Sequence, residues 1–432
     1  MHEMTRRYLC RLLFVILCVV PALAVLGFAL YRTSPLYSLW EQQRWQRAIE
    51  IRIGLNATIQ RVSHPRSGVI LLAGVSLFDP DTQERVLFAR LVEVTDTSRG
   101  LAIALAQPEV ERGQFVRLWE AFHDRILRSG SAVRPTQLVA HQVTLHDGAP
   151  SLTFNYVRCG LEPTADEVHA SLEFDVAGLG MPAPAQIQIV RNRRLHPPTT
   201  GWELRTGSTP LPCSLWAAYC PALERLGTDG RFSGTILGER SSRGWNGELA
   251  GEFTQVDLAR VIEPFPHKLS GTAAVRLRRA VMRNGRVQEA AGSLEATGGV
   301  ISHSLVASFS QAFRLDAAPR ARQPETPLHE YERLVVEFQL DDQGLCLKGQ
   351  CEGETAGVLL TDRQGPLLVE TGSPPVPAMA LAQAVSPETG VLVPATSATH
   401  LLLLALPLPR PDSDQVRTAE RPGYTPLRFT DR

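Results

Sequence analysis

LVVEFQLDDQGLCL, at residues 334–347, is the stretch that decides the fold class of this chain. From Leu334 to Leu340 apolar residues alternate with polar ones, which is the period of a strand that buries one face. The turn-forming residues Asp341–Gly344 follow, and Leu345–Leu347 begins a second strand. The segment therefore predicts a β-hairpin.

Similar patterns recur and predict a chain that is mainly β. The first comes directly after residue 50, where the apolar residues of Ile51–Ile59 alternate with polar ones. The other predicted strands are 68–78, 86–94, 137–145, 152–159, 168–176, 186–190, 230–237, 244–253, 270–277, 287–296, 345–353 and 357–361. Together they predict a largely antiparallel sheet with a few short covering helices.

Two helices are predicted among these strands. Residues 302–313 form the weaker pattern, and residues 114–127 form the stronger one, with a single wide apolar face. We expect the stronger face to dock onto a sheet, and a groove for a ligand or a partner is the alternative. Its apolar residues are Phe115, Leu118, Trp119, Phe122 and Ile126.

Near the N-terminus, Leu12–Tyr31 is an uninterrupted apolar segment. It contains twenty residues and no Asp, Glu, Lys or Arg. A helix of that length covers ~30 Å, the thickness of the hydrocarbon core of a bilayer. We therefore predict a transmembrane helix at 12–31. The predicted anchor residues are Leu12, Phe14, Ile16, Val20, Leu23, Leu26, Phe28 and Leu30.

Arginines set the predicted orientation of that helix. Arg6, Arg7 and Arg11 precede it, so the positive-inside rule keeps the N-terminus in the cytoplasm and sends the rest of the chain across. The small-x-small pattern ending at Ala24 is typical of a signal-peptide cleavage site, and cleavage there is the open alternative. Because the apolar run continues to Tyr31, we favour the anchor. Both alternatives export the chain.

Composition divides the chain into six segments. They are a cytoplasmic N-terminus at 1–11, the transmembrane helix at 12–31, a juxtamembrane helix at 32–50, β-rich parts at 51–227 and 228–370, and a proline-rich tail at 371–432. The tail lacks periodicity and is predicted to be mostly irregular. Within it, Leu401–Leu406 is strongly apolar but too short to span a bilayer, so we expect it to dock onto the sheet.

Charge and cysteine content narrow the possible functions. The 44 basic and 44 acidic residues cancel, so no overall field attracts nucleic acid, and no nucleic-acid partner is expected. Seven cysteines, an odd number, do not suit a full disulfide framework. Cys346 and Cys351 could pair only across a tight turn, and small buried thiols are the expected state of the cysteines.

The usual patterns of catalytic residues do not occur in the sequence. His329–Glu330 begins a zinc-protease motif, but an arginine stands where the second histidine is required. Asp79 and Asp81 follow a strand and are ordinary turn residues. His141 and His146 lie five residues apart on a predicted strand, which sends them to opposite faces. We predict a non-enzymatic protein without catalytic, cofactor-binding or metal-binding residues.

With LLAGVSLFDP (71–80) in the first of them and GWNGELAGEF in the second, two stretches resemble the AsmA-like family of envelope proteins. In the first, at about 51–95, LLAGVSLFDP (71–80) fits the family pattern L-x-G-V-x-L-x-D-P, and the next strand carries its Ala-Arg-x-x-x-Val ending. The second, at about 230–305, is similar to the glycine-punctuated strands of the family's later half. Its matching pieces are GRFSGT, GWNGELAGEF, LSGTA and GRV. As in the family, an N-terminal membrane helix comes first.

The resemblance implies a curved, trough-like sheet and membrane-linked work in envelope biogenesis. Membrane lipids would be the partners, through lipid binding or transfer at the apolar face of the trough. The protein would lie in the bacterial inner membrane as a single-pass protein, with its C-terminal domain in the periplasm. No catalytic residues come with the resemblance. The alternative is a structural or interaction module of an envelope or secretion assembly, with a protein partner.

Overall fold

The structure is a computed structural model of the chain, and it is mainly β with few helices, as predicted. It describes residues 8, 12–128, 134–146, 151–207, 209–217, 220–241, 244–322, 327–351, 357–372, 374–386 and 402–407. The chain forms two compact units. Unit 1 comprises 1–224 with 233–242, and unit 2 comprises 225–232 with 243–432.

The N-terminal part of unit 1 is helical. A π-helical turn at Val15–Val19 precedes helix α1 (Val20–Thr33), and helix α2 (Pro35–Ile53) follows. Between them, Ser34 caps α2, because its side chain accepts a hydrogen bond from the Tyr37 amide. No helix in the described part of the chain has both the length and the hydropathy needed to cross a membrane.

The strand predicted at Ile51–Ile59 begins later than its pattern indicates, and this prediction was wrong for its first residues. Helix α2 continues to Ile53 and ends at Gly54, which adopts the left-handed conformation with φ of 81°. The Gly54 amide donates a hydrogen bond to the carbonyl oxygen of Glu50. A left-handed glycine with such a hydrogen bond is a common way for a helix to end. Residues 51–53 are therefore helical although their pattern indicates a strand, and the glycine cap sets the end of the helix.

Unit 1 is an antiparallel meander with one parallel pair. Its strands are β1 (Asn56–Arg66), β2 (Val69–Phe78), β3 (Arg85–Thr97), β4 (Gly100–Glu111), β5 (Thr136–His146), β6 (Leu152–Pro163), β7 (Glu167–Val176), β8 (Ala185–Asn192), β9 (Thr199–Arg205), β10 (Leu211–Pro212) and β11 (Arg231–Ser241). Strands β1 to β9 pair in chain order, and β11 pairs with β9. Among these described pairings only β4 and β5 are parallel.

Strand β4 was missed by the sequence prediction. Its sequence GLAIALAQPEVE is rich in alanine, which weakens the strand signal, and its proline argues against a central strand. The chain accommodates Pro108 where the pairing of β4 with β5 is interrupted, between Leu105 and Glu109. Pairing with β3, its hairpin partner, and with the more distant β5 therefore makes β4 a strand.

The crossover from β4 to β5 contains the helix predicted at 114–127. It consists of a 3-10 turn (Arg112–Gln114), helix α3 (Phe115–Phe122) and a π-helical turn (His123–Leu127). The apolar residues of its predicted face all join the apolar clusters of the unit 1 sheet, namely Phe115, Leu118, Trp119, Phe122 and Ile126. Docking of this face onto a sheet is confirmed.

Unit 2 is antiparallel in all its described strand pairings. Its strands are β12 (Gly244–Asp257), β13 (Thr272–Arg283), β14 (Arg286–Ser302), β15 (Asp316–Ala317), β16 (Leu328–Asp341), β17 (Gly344–Gly349), β18 (Val358–Asp362) and β19 (Gly365–Val369). Strand β16 lies between β14 on one side and β17 and β18 on the other. Strand β19 joins β18 to the short β15.

The predicted hairpin at 334–347 is confirmed as β16 and β17. The two strands pair up to Asp341 and Gly344, and the Gln343 amide donates a hydrogen bond of 2.8 Å to Asp341 Oδ1. Strand β17 ends at Gly349, whereas the prediction extended it to residue 353. The Cys351 amide donates to the Val358 carbonyl, so the chain has already turned towards β18.

Helices cover the core of unit 2. They are α4 (Leu258–Ile262), α5 (His303–Phe313) and α6 (Met379–Val385), with a short 3-10 turn at Pro319–Arg322. Two further 3-10 turns, at Cys213–Trp216 and Pro221–Leu226, lie earlier in the chain, between β10 and β11. Helix α5 confirms the predicted helix at 302–313, with Ser302 as its cap. Helix α6 lies in the tail that was predicted to be mostly irregular. Its buried alanines let it pack closely against α5.

The described cysteines are free, including Cys346 and Cys351, so the pair that a tight turn could have joined is not formed. Burial raises the pKa of the Cys159 and Cys213 thiols, each to about 11. Thiols with such high pKa values hold little thiolate and are unreactive. These two cysteines therefore act as small apolar side chains, and Cys213 is the fully buried one.

Candidate membrane-contact surface

The predicted anchor residues form a continuous run of exposed apolar side chains. Seven of the eight have described side chains, and each of these is between 54% and 64% exposed. The Phe28 side chain and the three topology residues Arg6, Arg7 and Arg11 lie outside the part that is described. Leu13, Val15, Leu17, Val25 and Tyr31 are exposed in the same run. An apolar surface of this extent usually marks an interaction site.

Aromatic side chains cluster where α1 joins α2. The Tyr31 and Tyr37 rings meet edge to face with centroids 5.5 Å apart, and the Trp40 ring lies 5.9 Å from Tyr37. The Arg44 guanidinium lies over the Trp40 ring at 5.6 Å. Tyrosine, tryptophan and arginine are enriched together at the boundary between lipid and water.

Helix α2 has a second face that binds the unit 1 sheet. Trp45, Ile49 and Ile53 pack against the apolar cluster formed by the first strands. Nearer the start of the helix, Leu36 and Leu39 are exposed. The helix therefore carries an exposed apolar surface while resting on the sheet.

Polar contacts fix α2 to strand β1. Gln42 Nε2 donates a hydrogen bond of 2.7 Å to the backbone oxygen of Gln60. Glu41 Oε1, on a side chain that is nearly buried, lies 2.5 Å from His64 Nε2. Strand β1 and helix α2 are thus joined by both apolar packing and hydrogen bonds. These contacts attach α2 to the sheet of unit 1.

The acidic pair Asp79 and Asp81 has a structural role. Asp79 follows β2 and is 2% exposed, and its Oδ1 accepts a hydrogen bond from the Asp81 amide. Arg117 of α3 places its Nε 3.1 Å from Asp79 Oδ2, an ion pair without the alignment of a hydrogen bond. The buried carboxylate therefore ties α3 to the turn after β2, and this agrees with its interpretation as a turn residue.

The histidines considered from the sequence occupy separate places. His141 is exposed and packs edge to face on Tyr156, and His146 lies 3.7 Å from Glu109. His329, on β16 of unit 2, has its ring 6.1 Å from that of His303. Within the described ranges no three His, Cys, Asp or Glu side chains are arranged to hold a metal ion.

A polar cluster at the start of α5 was missed by sequence reasoning. His267 Nδ1 lies 2.9 Å from Ser304 Oγ, which lies 3.1 Å from Ser302 Oγ. Ser302 also accepts a hydrogen bond from the Lys268 amide. The serine before an apolar run signals the helix cap. The histidine comes from a distant loop, so only the fold brings it there, where it fastens that loop to the helix.

His329 predicts a pH dependence of the stability of unit 2. Burial, with His303 and Arg320 adding to it and Asp362 opposing it, lowers the pKa of His329 below 6.5. The unfolded chain therefore takes up this proton more readily than the folded chain. The contribution of neutral His329 to the free energy of unfolding is complete above pH 6.5. It is lost as the pH falls from there towards the lowered pKa of the folded state. His329→Gln removes this part of the dependence.

Urea unfolding between about pH 8 and about pH 5 measures the effect. The free energy of unfolding should fall less in His329→Gln than in the unchanged protein over that range. His141→Gln, which replaces an exposed histidine of unit 1, is the matched control and should leave the dependence as it is. Identical pH profiles for the unchanged protein and His329→Gln would contradict the prediction.

A small cavity in unit 2 has mixed walls, in which charged side chains lie beside the apolar Phe338 and Pro375. Its volume is about 200 Å³, and charged residues including Arg278, Glu337, Asp341 and Lys348 line it. Arg278 and Glu337 form an ion pair of 2.6 Å across it. A lipid acyl chain prefers an apolar cavity, so this one does not suit it.

No protein-family model, no curated protein and no solved structure matches this chain. The resemblance to the AsmA-like family therefore rests on the sequence motifs at about 51–95 and 230–305. A function of AsmA-like type is accordingly a proposal.

Proposed function

We propose that this chain is a membrane-anchored, non-enzymatic envelope protein of AsmA-like type. In this proposal the apolar segment from Leu12 to Tyr31 lies in the bacterial inner membrane, and both units act in the periplasm. The single observation that carries it is the exposure of the described anchor side chains over almost the whole segment. Water would be a poor environment for such a surface, and lipid a good one.

The junction of α1 and α2 supports the same proposal. Tyr31, Tyr37, Trp40 and Arg44 would lie at the level of the lipid headgroups, where amphipathic rings and arginine are favoured. Because α2 is attached to β1, unit 1 would then be held close to the membrane surface.

Two functions are candidates for the two units. One is lipid binding or transfer, and the other is binding of a protein partner. Lipid binding needs an open apolar face. In unit 1, side chains of α2 and of the crossover helix pack against that face, including Leu118 and Trp119. This covering favours the second candidate, a structural or interaction module of an envelope assembly. Chemical crosslinking in intact cells together with analysis of co-purified lipid discriminates the two.

Membrane attachment is tested by charging the anchor. We expect Leu23→Arg with Leu26→Arg to release the protein from membranes that are washed with alkaline carbonate. Each arginine near the centre of a membrane helix costs about 2.5–3.5 kcal/mol. The fraction of protein retained in the washed membranes, measured by immunoblot, is the readout.

The matched control makes the same change at two exposed leucines elsewhere, Leu237→Arg with Leu328→Arg. It should stay in the membrane fraction with the unchanged protein. Retention of the Leu23/Leu26 variant at the control level would overturn the anchor. Mass measurement of the mature chain tests cleavage after Ala24, since a chain that begins at Val25 would have lost its anchor.

A further inference from the structure

Helix α2 presents one exposed line of side chains along most of its length. The line advances by three or four residues at each step, so its members lie on one side of the helix. From its first member to its last it covers ~23 Å. The members are all exposed, and they are Leu36, Trp40, Arg44, Arg47 and Ile51. We call this line the outer stripe of α2.

The side of α2 opposite the outer stripe packs on unit 1. Helical spacing places Ile49 opposite the middle of the stripe. Ile49 and Trp45 pack against the apolar cluster of the first strands. The outer stripe therefore points away from the sheet. At its end Ile51 is 76% exposed, so a large apolar side chain is left without cover by unit 1.

The acidic and basic residues of α2 have different surroundings. Both acids of the helix contact unit 1. Glu41 is buried beside His64, and Glu50 Oε1 accepts a hydrogen bond of 3.4 Å from the Ala57 amide. The two arginines of the outer stripe are exposed instead. The stripe therefore combines apolar with basic side chains and includes no carboxylate, which is the composition that suits an anionic lipid surface.

The outer stripe continues the exposed apolar surface of α1. Tyr37 links the two, since its ring contacts both Tyr31 of α1 and Trp40 of the stripe. Ser34, between the helices, has an extended backbone with ψ of 146°, so α2 does not continue the axis of α1. A chain that crosses a bilayer along α1 can therefore turn at Ser34 and follow the lipid surface along α2.

We propose that α2 lies along the membrane surface and that its outer stripe binds anionic phospholipid. Leu36, Trp40 and Ile51 would enter the boundary between headgroups and acyl chains, as the apolar side of an interfacial helix does. Arg44 and Arg47 would bind the phosphate groups, since a guanidinium presents paired donors to phosphate while its stem stays on apolar surface. This inference rests on the membrane attachment proposed above, which brings α2 to the lipid.

The proposal also places the first strands of unit 1 relative to the membrane. Helix α2 would lie between the bilayer and the apolar cluster that these strands form with it. The diameter of a helix, ~10 Å, would then separate the strands from the lipid. The sheet would rest on the membrane through α2 and would not enter it.

The test places a photo-crosslinker at single positions of the full chain, which is reconstituted into vesicles of radioactively labelled phosphatidylglycerol. Benzoylphenylalanine replaces Ile51 at the end of the outer stripe, Leu26 in the anchor, or Val139. Val139 is the matched control, because it is also exposed but lies on β5 next to the buried Ala140, and so on the other face of the sheet. Irradiation should attach labelled lipid at positions 51 and 26 and leave position 139 at background.

The role of the arginines is tested by adding Arg44→Gln with Arg47→Gln to the position-51 variant. Labelling at position 51 should fall at least ~5-fold, since each arginine near an anionic surface strengthens association by about that factor. Vesicles of neutral phosphatidylcholine should lower it in the same way. Arg99→Gln with Arg158→Gln removes the same charge from two exposed positions elsewhere in unit 1, and it should leave the labelling unchanged.

Labelling at position 26 without labelling at position 51 would overturn the inference and leave the anchor in place. Absence of labelling at both positions would contradict the membrane attachment itself, and the inference would fall with it. Crosslinking of position 51 to a second protein chain instead of lipid would assign the outer stripe to a protein contact. Equal labelling in the two pairs of arginine variants would overturn the binding of phosphate by Arg44 and Arg47.

Discussion

Leu127→Ala is expected to lower the free energy of unfolding of unit 1 by about 2–5 kcal/mol. Leu127 ends the π-helical turn after α3 and is fully buried. It packs in a cluster with Val168 and Ile189 of the sheet, so its removal leaves a cavity between the crossover and the strands. Trp119 and Trp202 pack against the same cluster and report its unfolding. Urea unfolding followed by tryptophan fluorescence is the measurement.

Leu195→Ala is the control for this prediction. Leu195 is also in unit 1, but it is 48% exposed, so the same truncation opens no cavity. Its effect should stay within about 0.5 kcal/mol. If Leu127→Ala were as mild as the control, the crossover would not be packed on the sheet as the structure describes. The covering of the apolar face, on which the choice between lipid and protein partner rests, would then have to be reconsidered.

Gly299→Ala is expected to destabilise unit 2 by about 1–3 kcal/mol, because there is no space for a methyl group. A Cβ atom at this position would overlap with the carbonyl oxygen of Ser270 and lie 2.7 Å from Tyr331 Oη. The Tyr331 hydroxyl donates a hydrogen bond of 2.7 Å to the same carbonyl oxygen. The alanine would therefore push the Ser270 backbone away and disturb this bond. The midpoint of thermal unfolding, by circular dichroism, measures the loss.

Gly113→Ala makes the same change where a Cβ atom would meet nothing within 4 Å. Its midpoint should stay at that of the unchanged protein. A Gly299→Ala variant as stable as this control would show that the close approach of the strands is relieved by small shifts. The two glycine variants differ in their neighbours and not in the chemical change, so their comparison isolates packing.

Local patterns were sufficient where the structure depends on nearby residues. The alternation and turn residues of 334–347 predicted the hairpin, and the spacing of Leu118 and Trp119 predicted the docked face of α3. The same reasoning failed at Ile51–Ile59, where Gly54 ends a helix. It also missed β4, since its alanines and Pro108 carry little strand preference of their own.

The candidate membrane-contact surface could be proposed from the sequence because all its residues belong to one continuous apolar stretch. Leu12 to Tyr31 is apolar throughout, and that property needs no tertiary structure to be recognised. The contacts of the apolar C-terminal segment could not be predicted in the same way. The sequence indicated that Leu401–Leu406 should be buried, but Arg286, more than a hundred residues earlier, was not identifiable as its partner.

The sequence by itself thus determined the mainly β class, the principal hairpin, the two longer covering helices and the apolar N-terminal segment, because each follows from the periodicity or composition of neighbouring residues. Tertiary structure alone decided the parallel pairing of β4 with β5, the partner of the buried Asp79 and the need for glycine opposite Tyr331. These features depend on which distant segments come into contact, and close packing makes that choice only once the whole unit has assembled.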